Sequence, residues 1–534
     1  MRHLLCAILF CMLAEVARAD EPIHLGSRRE LFVDNYVIER IQGDAELRLH
    51  HPAPREIALE HDEPWEGNAT AYHSVFQDDD LYRMYYRAWR LTVDSARLQQ
   101  GTVSLCYAES QDGLHWTKPK LGLHEFQGST ANNIVISTQM AAAHQARVGG
   151  PAVFRDTNPD AMPGAKYKTF LISQSPLGMR PYASPDGIHW SPLTDGPTIT
   201  NGAFDSQNLA FWDSVRGEYR AFWRYFTAGT TDAKTWKPAG LRAIRTATSR
   251  DLVQWDNEAD LEYVDSPPVQ LYENGVAPYH RAPHILLGFP VRYIDRAGAP
   301  STFDRRGDAA RAAQIRAWPP SLKALPDFQN RRARATSSER YGSAVTEGML
   351  MTSRDGVTFK RWNEGFLRPG AERPGTWNYG HLFVGWHVVE TASSLAGAPN
   401  ELSLFATEGY WTSQEGTSLR RYTLRLDGFV SLWAPHQGGQ LITKPLTFAG
   451  DTLSLNFATS AAGTVRVELQ NEAGKPLTGY SLEDCDELFG DTLDRVVTWQ
   501  GKQDVSSLAG RTVKMRFALR DADLFSFRFA RNPR

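Results

Sequence analysis

Four copies of one short polar turn constrain this chain more than anything else in it. They read Ser110-Gln111-Asp112-Gly113-Leu114-His115-Trp116, Ser184-Pro185-Asp186-Gly187-Ile188-His189-Trp190, Ser249-Arg250-Asp251-Leu252-Val253-Gln254-Trp255 and Ser353-Arg354-Asp355-Gly356-Val357-Thr358-Phe359. Each is a Ser-x-Asp-Gly-x-x-aromatic unit, with Leu252 in the Gly position of the third. The serines lie 74, 65 and 104 residues apart. Self-similarity at so long a period marks a repeat architecture. In such a turn the Asp caps local N–H groups and the Gly takes a positive φ, so the motif is structural punctuation rather than chemistry.

The segments between the turns read as short strands rich in β-branched and aromatic residues. The first repeat has strands at 72–76, 81–87 and 103–108, and Trp116 opens a fourth after the turn. Four antiparallel strands with a tight turn before the last make the blade of a β-propeller. The same order predicts blade two at 151–155, 167–173 and 180–183, and blade three at 208–212, 218–225 and 241–247. Blade four is expected to begin with an innermost strand at 282–290 and to resume at 349–352. Between them, about 295–341, lies an Arg-, Ala- and Pro-rich insertion, helical around 308–317. Blade five follows at 382–389, 401–407 and 419–426 and lacks the polar turn, so an N-terminal strand is expected to complete it. Strands are also predicted at 29–38 and 46–49, followed by a polar, Pro-containing connection up to Trp65.

From 437 onward the pattern changes to alternating strands with Gly-rich turns, which suits a β-sandwich. The predicted fold class is all-β: a five-bladed β-propeller over 20–436 followed by a C-terminal β-sandwich over 437–534.

Residues 1–19 combine a basic start, a short apolar run and an Ala17-Arg18-Ala19 end, the layout of a secretory signal peptide. The run is too short to span a membrane. A secreted or periplasmic protein is therefore expected. Formal net charge is -3 over 534 residues, so no global basic field points to nucleic acid. Outside the leader only Cys106 and Cys485 remain, expected as buried thiols, and no metal-ligand spacing or cofactor motif occurs.

A five-bladed propeller followed by a sandwich resembles the glycoside hydrolases of family 32, and more loosely family 43. The segments 31–34, 107–119 and 205–208 are also similar to a bacterial secreted group described as glycosyl-hydrolase-like. The resemblance implies cleavage of glycosidic bonds by paired carboxylates. In family 32 a nucleophile Asp opens the first blade; the corresponding position here holds Ala71, with Glu66 the nearest carboxylate. A second Asp, in an Arg-Asp-Pro motif, opens blade three, and Asp205 lies about two residues from it. At the acid/base position this chain carries Arg281.

Propeller topology gives an independent filter. First-strand starts, second-strand ends and third-strand starts face the ligand mouth. The filter selects Asp205, Glu347 and Glu408 as candidate catalytic carboxylates, since retaining or inverting hydrolysis needs two carboxyls across one gap. It selects Glu66, His73, Arg87, Arg224, Arg281, His284 and Arg292 as candidate substrate-binding residues, with Tyr379 at a further first-strand start. Four arginines aimed at one mouth make an anionic carbohydrate an expected ligand, because the guanidinium fork matches carboxylates and sulfates. The expected function is a secreted glycoside hydrolase acting on a poly- or oligosaccharide; a non-catalytic carbohydrate-binding propeller is the alternative. The oligomeric state stays open.

Overall fold

The computed structural model describes residues 21–298, 307–412 and 416–531; the leader lies outside them. The chain divides into two units, one spanning 47–431 and one built from both chain ends, 1–46 and 432–534.

The larger unit is a five-bladed propeller. Blade one is Ala71–Asp78, Leu81–Asp94, Arg97–Ser110 and Ile134–Ile136. Blade two is Phe154–Arg155, Tyr167–Gln174, Leu177–Ser184 and Ser191–Pro192, with Ala146–Arg147 prolonging its inner edge. Blade three is Gln207–Asp213, Glu218–Thr231, Trp236–Ser249 and Trp255–Asp260. Blade four is Ala277–Tyr279, Ala282–Gly288, Met351–Ser353 and Thr358–Arg361. Blade five is Val389–Thr391, Glu401–Glu408 and Thr417–Arg425, closed by Ala53–His61.

The four polar turns are near-identical devices. In the first, Asp112 Oδ1 accepts the N–H groups of Leu114 and His115, both at 2.8 Å, and Ser110 Oγ accepts that of Gly113 at 2.9 Å. The pattern recurs at Asp186, Asp251 and Asp355. The third residue is left-handed in every copy, at φ 73° for Gly113 and 66° for Leu252. A Cβ at Gly113 would lie 2.9 Å from Thr391 Cγ2 of blade five, so the turn needs glycine for space as well. Leu252 tolerates the strained backbone because its side chain is buried in the core between blades. All four turns follow third strands and so mark the face opposite the mouth.

Two corrections bear on the site. The innermost strand of blade four is Ala277–Tyr279, not the run 282–290, which is second. The closing strand of blade five is Ala53–His61, within the stretch expected to be a polar connection. Its Pro54 is tolerated because this is an outer edge strand, where a missing N–H breaks no further ladder.

The insertion leaves blade four through Val291–Asp295 and returns through Ala344–Gly348. Its helices are Asp308–Arg316, Pro320–Ala324, Phe328–Ala335 and Arg340–Ser343. Two buried arginines dock it. Arg331 donates to the carbonyl oxygens of Trp377 and Gly342, and Arg334 to those of Tyr410 and Trp411 and to Asn378 Oδ1. Burial pulls Arg334 down to about 9, so this anchoring uses costly cations.

In the second unit, Thr452–Gln470 and Lys514–Ala530 pair along most of their length, with a break in register between Thr459 and Thr464. One half of this ribbon takes Arg29–Leu31, the other Gly439–Thr443, which in turn pairs Ile38–Gly43. The halves face each other, with Phe517 and Phe527 ring centroids 5.5 Å apart and Phe32 against both. A single sheet thus bends back to make two layers. The expected boundary at 436/437 is corrected accordingly: residues before 47 belong to this unit rather than to the propeller. Cys106 and Cys485 are both buried and free.

Candidate active site

The mouth is built from a column of rings. Tyr72 stacks on Phe383 at 5.9 Å, Phe383 on Tyr272 at 5.4 Å, and Tyr272 on Tyr293 at 6.5 Å, with interplanar angles of 15°, 13° and 24°. Blades one, five and four each contribute. Local backbone aims these rings. Tyr72 sits at φ 61° in a β-bulge, which turns its side chain out of the strand alternation. Tyr379 closes the floor, its hydroxyl 2.6 Å from that of Tyr272.

Arginines stand around this column. The Arg87 guanidinium lies 3.7 Å over Trp89 and 5.6 Å from Tyr72. Arg224 lies 5.1 Å and Arg242 5.4 Å from Tyr272, and Arg242 4.7 Å from Tyr293. Arg340, delivered by the insertion, lies 4.3 Å over Tyr341 and 5.5 Å from Tyr379. Arg147 joins from blade two, where its charge reaches Asp205 and Arg87. Burial, followed by repulsion from Arg340 and Arg224, pulls Arg242 down to about 10. Tyr272 is lowered because Arg340, Arg224 and Arg242 outweigh the upward pull of burial.

Two carboxyls lie among these cations, and their surroundings push their pKa values in opposite directions. Asp205 is ion-paired with Arg224. Its side chain keeps 45% of its surface open. Burial pulls its pKa up, but Arg224, Arg147 and Arg242 outweigh burial and hold it below the usual aspartate range. Glu273 is 3% exposed, and neither of its carboxyl oxygens has a hydrogen-bond partner. Burial drives its pKa well above the usual glutamate range, with Arg224 opposing only in part. Asp205 immediately precedes the first strand region of blade three. Glu273 precedes that of blade four, followed by Gly275 in a left-handed turn at φ 54°.

Of the sequence-predicted residues, Asp205, Arg87 and Arg224 are in this mouth. Glu347 is not. It pairs Arg292 across Val291–Asp295 and Ala344–Gly348, accepting from Nε at 2.9 Å and Nη2 at 2.5 Å. The next residues along, Tyr293 and Thr346, occupy the other face, and Tyr293 is the one in the ring column. Strand alternation therefore turns Glu347 and Arg292 away. Glu408 is buried and bonded to Arg373, to Arg420 at 2.8 Å and to Tyr422 at 3.3 Å, partners it does not share with Asp205. Burial raises its pKa less than those two arginines lower it.

Glu66 is also buried, accepting from Tyr86 Oη at 2.6 Å and Lys118 Nζ at 2.8 Å. Its neighbours tie the loop before blade one to that blade, although burial still raises its pKa. His73 lies next to Tyr72 but on the opposite side of the strand, its Nε2 3.1 Å from that of His61, and burial lowers it to about 3. Arg281 is at the far end of the blade, donating to Asp427 at 2.8 Å. His284 is two residues from Leu286, which pairs Ser353 at the polar turn, so it too is near that end.

The sequence filter missed Glu273, Tyr72, Tyr272, Arg147, Arg242 and Arg340. The available signal was the run Glu273-Asn274-Gly275-Val276-Ala277, a carboxylate and a turn before a short apolar segment. Among the described residues no group of three or more His, Cys, Asp or Glu is placed to hold a metal ion. No described helix is long and apolar enough to cross a membrane.

No protein-family model matches the chain, and no curated protein matches it. Solved structures do resemble it. A glycoside hydrolase family 43 arabinoxylan arabinofuranohydrolase from Bacillus subtilis, in complex with cellotetraose, is 13% identical, with 90% of this chain and 99% of that chain covered at a TM-score of 0.38. An N-acetylgalactosamine deacetylase from F. plautii, in complex with blood group B trisaccharide, is 12% identical over 70% of this chain and 94% of the other, at 0.40. A glycosyl hydrolase from Bacteroides ovatus is 15% identical over 74% and 93%, at 0.33. These likenesses do not confirm family 32.

Proposed function

We propose that the protein is a glycoside hydrolase that cleaves a poly- or oligosaccharide at the arginine- and tyrosine-lined mouth, with Glu273 as proton donor and Asp205 as the ionised partner. One observation carries this reading: two carboxyls that share Arg224 as a neighbour have their pKa values pushed in opposite directions, that of Glu273 up by burial and that of Asp205 down by its arginines. That division is what glycosidic cleavage needs, since one carboxyl must protonate the leaving oxygen while the other stays charged to activate water or attack the sugar. Glu273 takes the acid/base place assigned by sequence to Arg281, which lies at the far end of the same blade.

Burial favours the protonated form of Glu273, and Arg224 pulls the other way only in part. The stacked rings give the sugar apolar faces to rest on. The leader expected at 1–19 supports a secreted or periplasmic site of action.

Incubation of purified protein with a polysaccharide panel, with released reducing ends measured, tests the reading. Asp205→Asn and Glu273→Gln should each reduce hydrolysis by about 10²–10⁴-fold. Undiminished cleavage by either variant removes that residue from the reaction. The ion pair between Arg224 and Asp205 favours one second reading, a binding propeller whose carboxylate is structural. Binding of a polysaccharide by the unmodified protein with no cleavage, at any pH, would select it.

A further inference from the structure

More arginines than carboxyls gather at the mouth: Arg87, Arg147, Arg224 and Arg340 stand around the rings, with Asp205 paired to Arg224 and Glu273 within reach of the same cation. Arg224 is 3% and Arg87 5% exposed, well beyond the burial at which a cation normally keeps a full set of partners. Yet Arg224 Nε and Nη1, Arg87 Nε and Arg340 Nη1 have no hydrogen-bond partner. Neighbouring Tyr72 and Tyr272 supply ring faces, which attract guanidinium groups but do not neutralise them.

Some arginines elsewhere in the propeller are committed to carboxylates. Arg292 spends its guanidinium on Glu347 and the Asn363 carbonyl, and Arg421 on Glu56, Glu401 and Ser403. Single unpartnered Nε atoms also occur at Arg220 and Arg361; what sets the mouth apart is that Arg87, Arg224 and Arg340, each with an unpartnered donor, converge on one group of rings. Arg340 is also brought there by an insertion that the propeller does not need for closure.

We infer that the sugar bound at the mouth carries a fixed negative charge, a uronate carboxylate or a sulfate ester, held by the open donors of Arg87, Arg224 and Arg340. Both anions present planar or near-planar oxygen pairs that match the guanidinium fork. The inference rests on the proposed location of the carbohydrate site but not on cleavage there. Such a charge also sets orientation: an anion on the arginines fixes which glycosidic oxygen meets Glu273.

Affinity electrophoresis tests this without requiring turnover. The gels contain polygalacturonate, alginate, chondroitin sulfate or carrageenan, each beside its carboxyl-reduced or desulfated counterpart. The expected result is retardation by at least one charged polymer and loss of it in the neutral counterpart. The carboxyl-reduced and desulfated arms separate uronate from sulfate recognition. Arg340→Gln, on the insertion, and Arg87→Gln should each weaken retardation about ten- to a hundredfold. A thermal melt of each variant confirms that it folds, and Arg340→Gln serves if Arg87→Gln does not. Equal binding of charged and neutral counterparts, retardation by none of the charged polymers, or binding unaffected in folded Arg340→Gln overturns the inference. Retardation without cleavage would leave it standing while removing the hydrolase reading.

Discussion

Arg224 gives one guanidinium nitrogen to Asp205 and keeps Nε and Nη1 without partners. A single cation thus lowers the pKa of one carboxylate, sits near a second whose pKa burial raises, and keeps two donors unpartnered.

Removing that cation should release Asp205. Its folded pKa is depressed, so the stability it contributes is present above the unfolded value of 3.8 and is lost as pH falls through the folded value. In Arg224→Met the Asp205 pKa should rise, moving the acid limb of the pH–rate profile to higher pH. A carbon-13 NMR titration of the aspartates reads the same change without substrate. An unmoved Asp205 resonance would show that Arg147 and Arg242 suffice.

Glu273 has the opposite sign. Its folded pKa is raised, so its contribution is full below the unfolded value of 4.5 and declines as pH rises through the folded value. Glu273→Gln keeps the shape and removes the ionisation. The variant should melt near the parent temperature in acid and above it in alkali, while losing hydrolysis. A parallel loss of stability at both ends would mean that the carboxyl is structural.

Arg334 anchors the insertion through three acceptors on blade five. Arg334→Met removes a costly buried charge but strands those acceptors. The second effect should win by about 1–3 kcal/mol, since each unsatisfied buried group costs on that order. The loss is local. Limited proteolysis should cut within 307–343 faster, and binding should weaken as Arg340 loses its position. The global melt should move little.

Leu252 sets two effects against each other. Leu252→Gly relieves a left-handed non-glycine residue, worth about 1–2 kcal/mol. It also empties a fully buried leucine site, at about 2–5 kcal/mol. Burial is the larger, so the variant should be less stable, by about 1–3 kcal/mol in urea titration. Increased stability would mean that the core collapses around the space.

The polar turns made the blade count legible because each repeats a full hydrogen-bonding device within seven residues. Asp205 and Arg224 were legible because blade three has long, unambiguous strands. Blade four was not. Its innermost strand, Ala277–Tyr279, has three residues and follows an irregular stretch, so the longer run after it looked like the start of the blade. One strand of error exchanges mouth for foot, which promoted Arg281 and hid Glu273. Glu347 failed for a smaller reason. Its position along the strand is right, but alternation places it behind the sheet. Arg340 could not be found by strand logic, because a helical insertion carries it in.

The closing strands carry a consequence for how the protein is made. Ala53–His61 waits for Thr417–Arg425, and Arg29–Leu31 waits for Ser526 and its neighbours, a separation of 497 residues between Arg29 and Ser526. A chain leaving the ribosome N-terminus first therefore holds two orphan edges until their far-downstream partners are made. Neither ring nor sheet can seal before then, so closure must follow the synthesis of those partners.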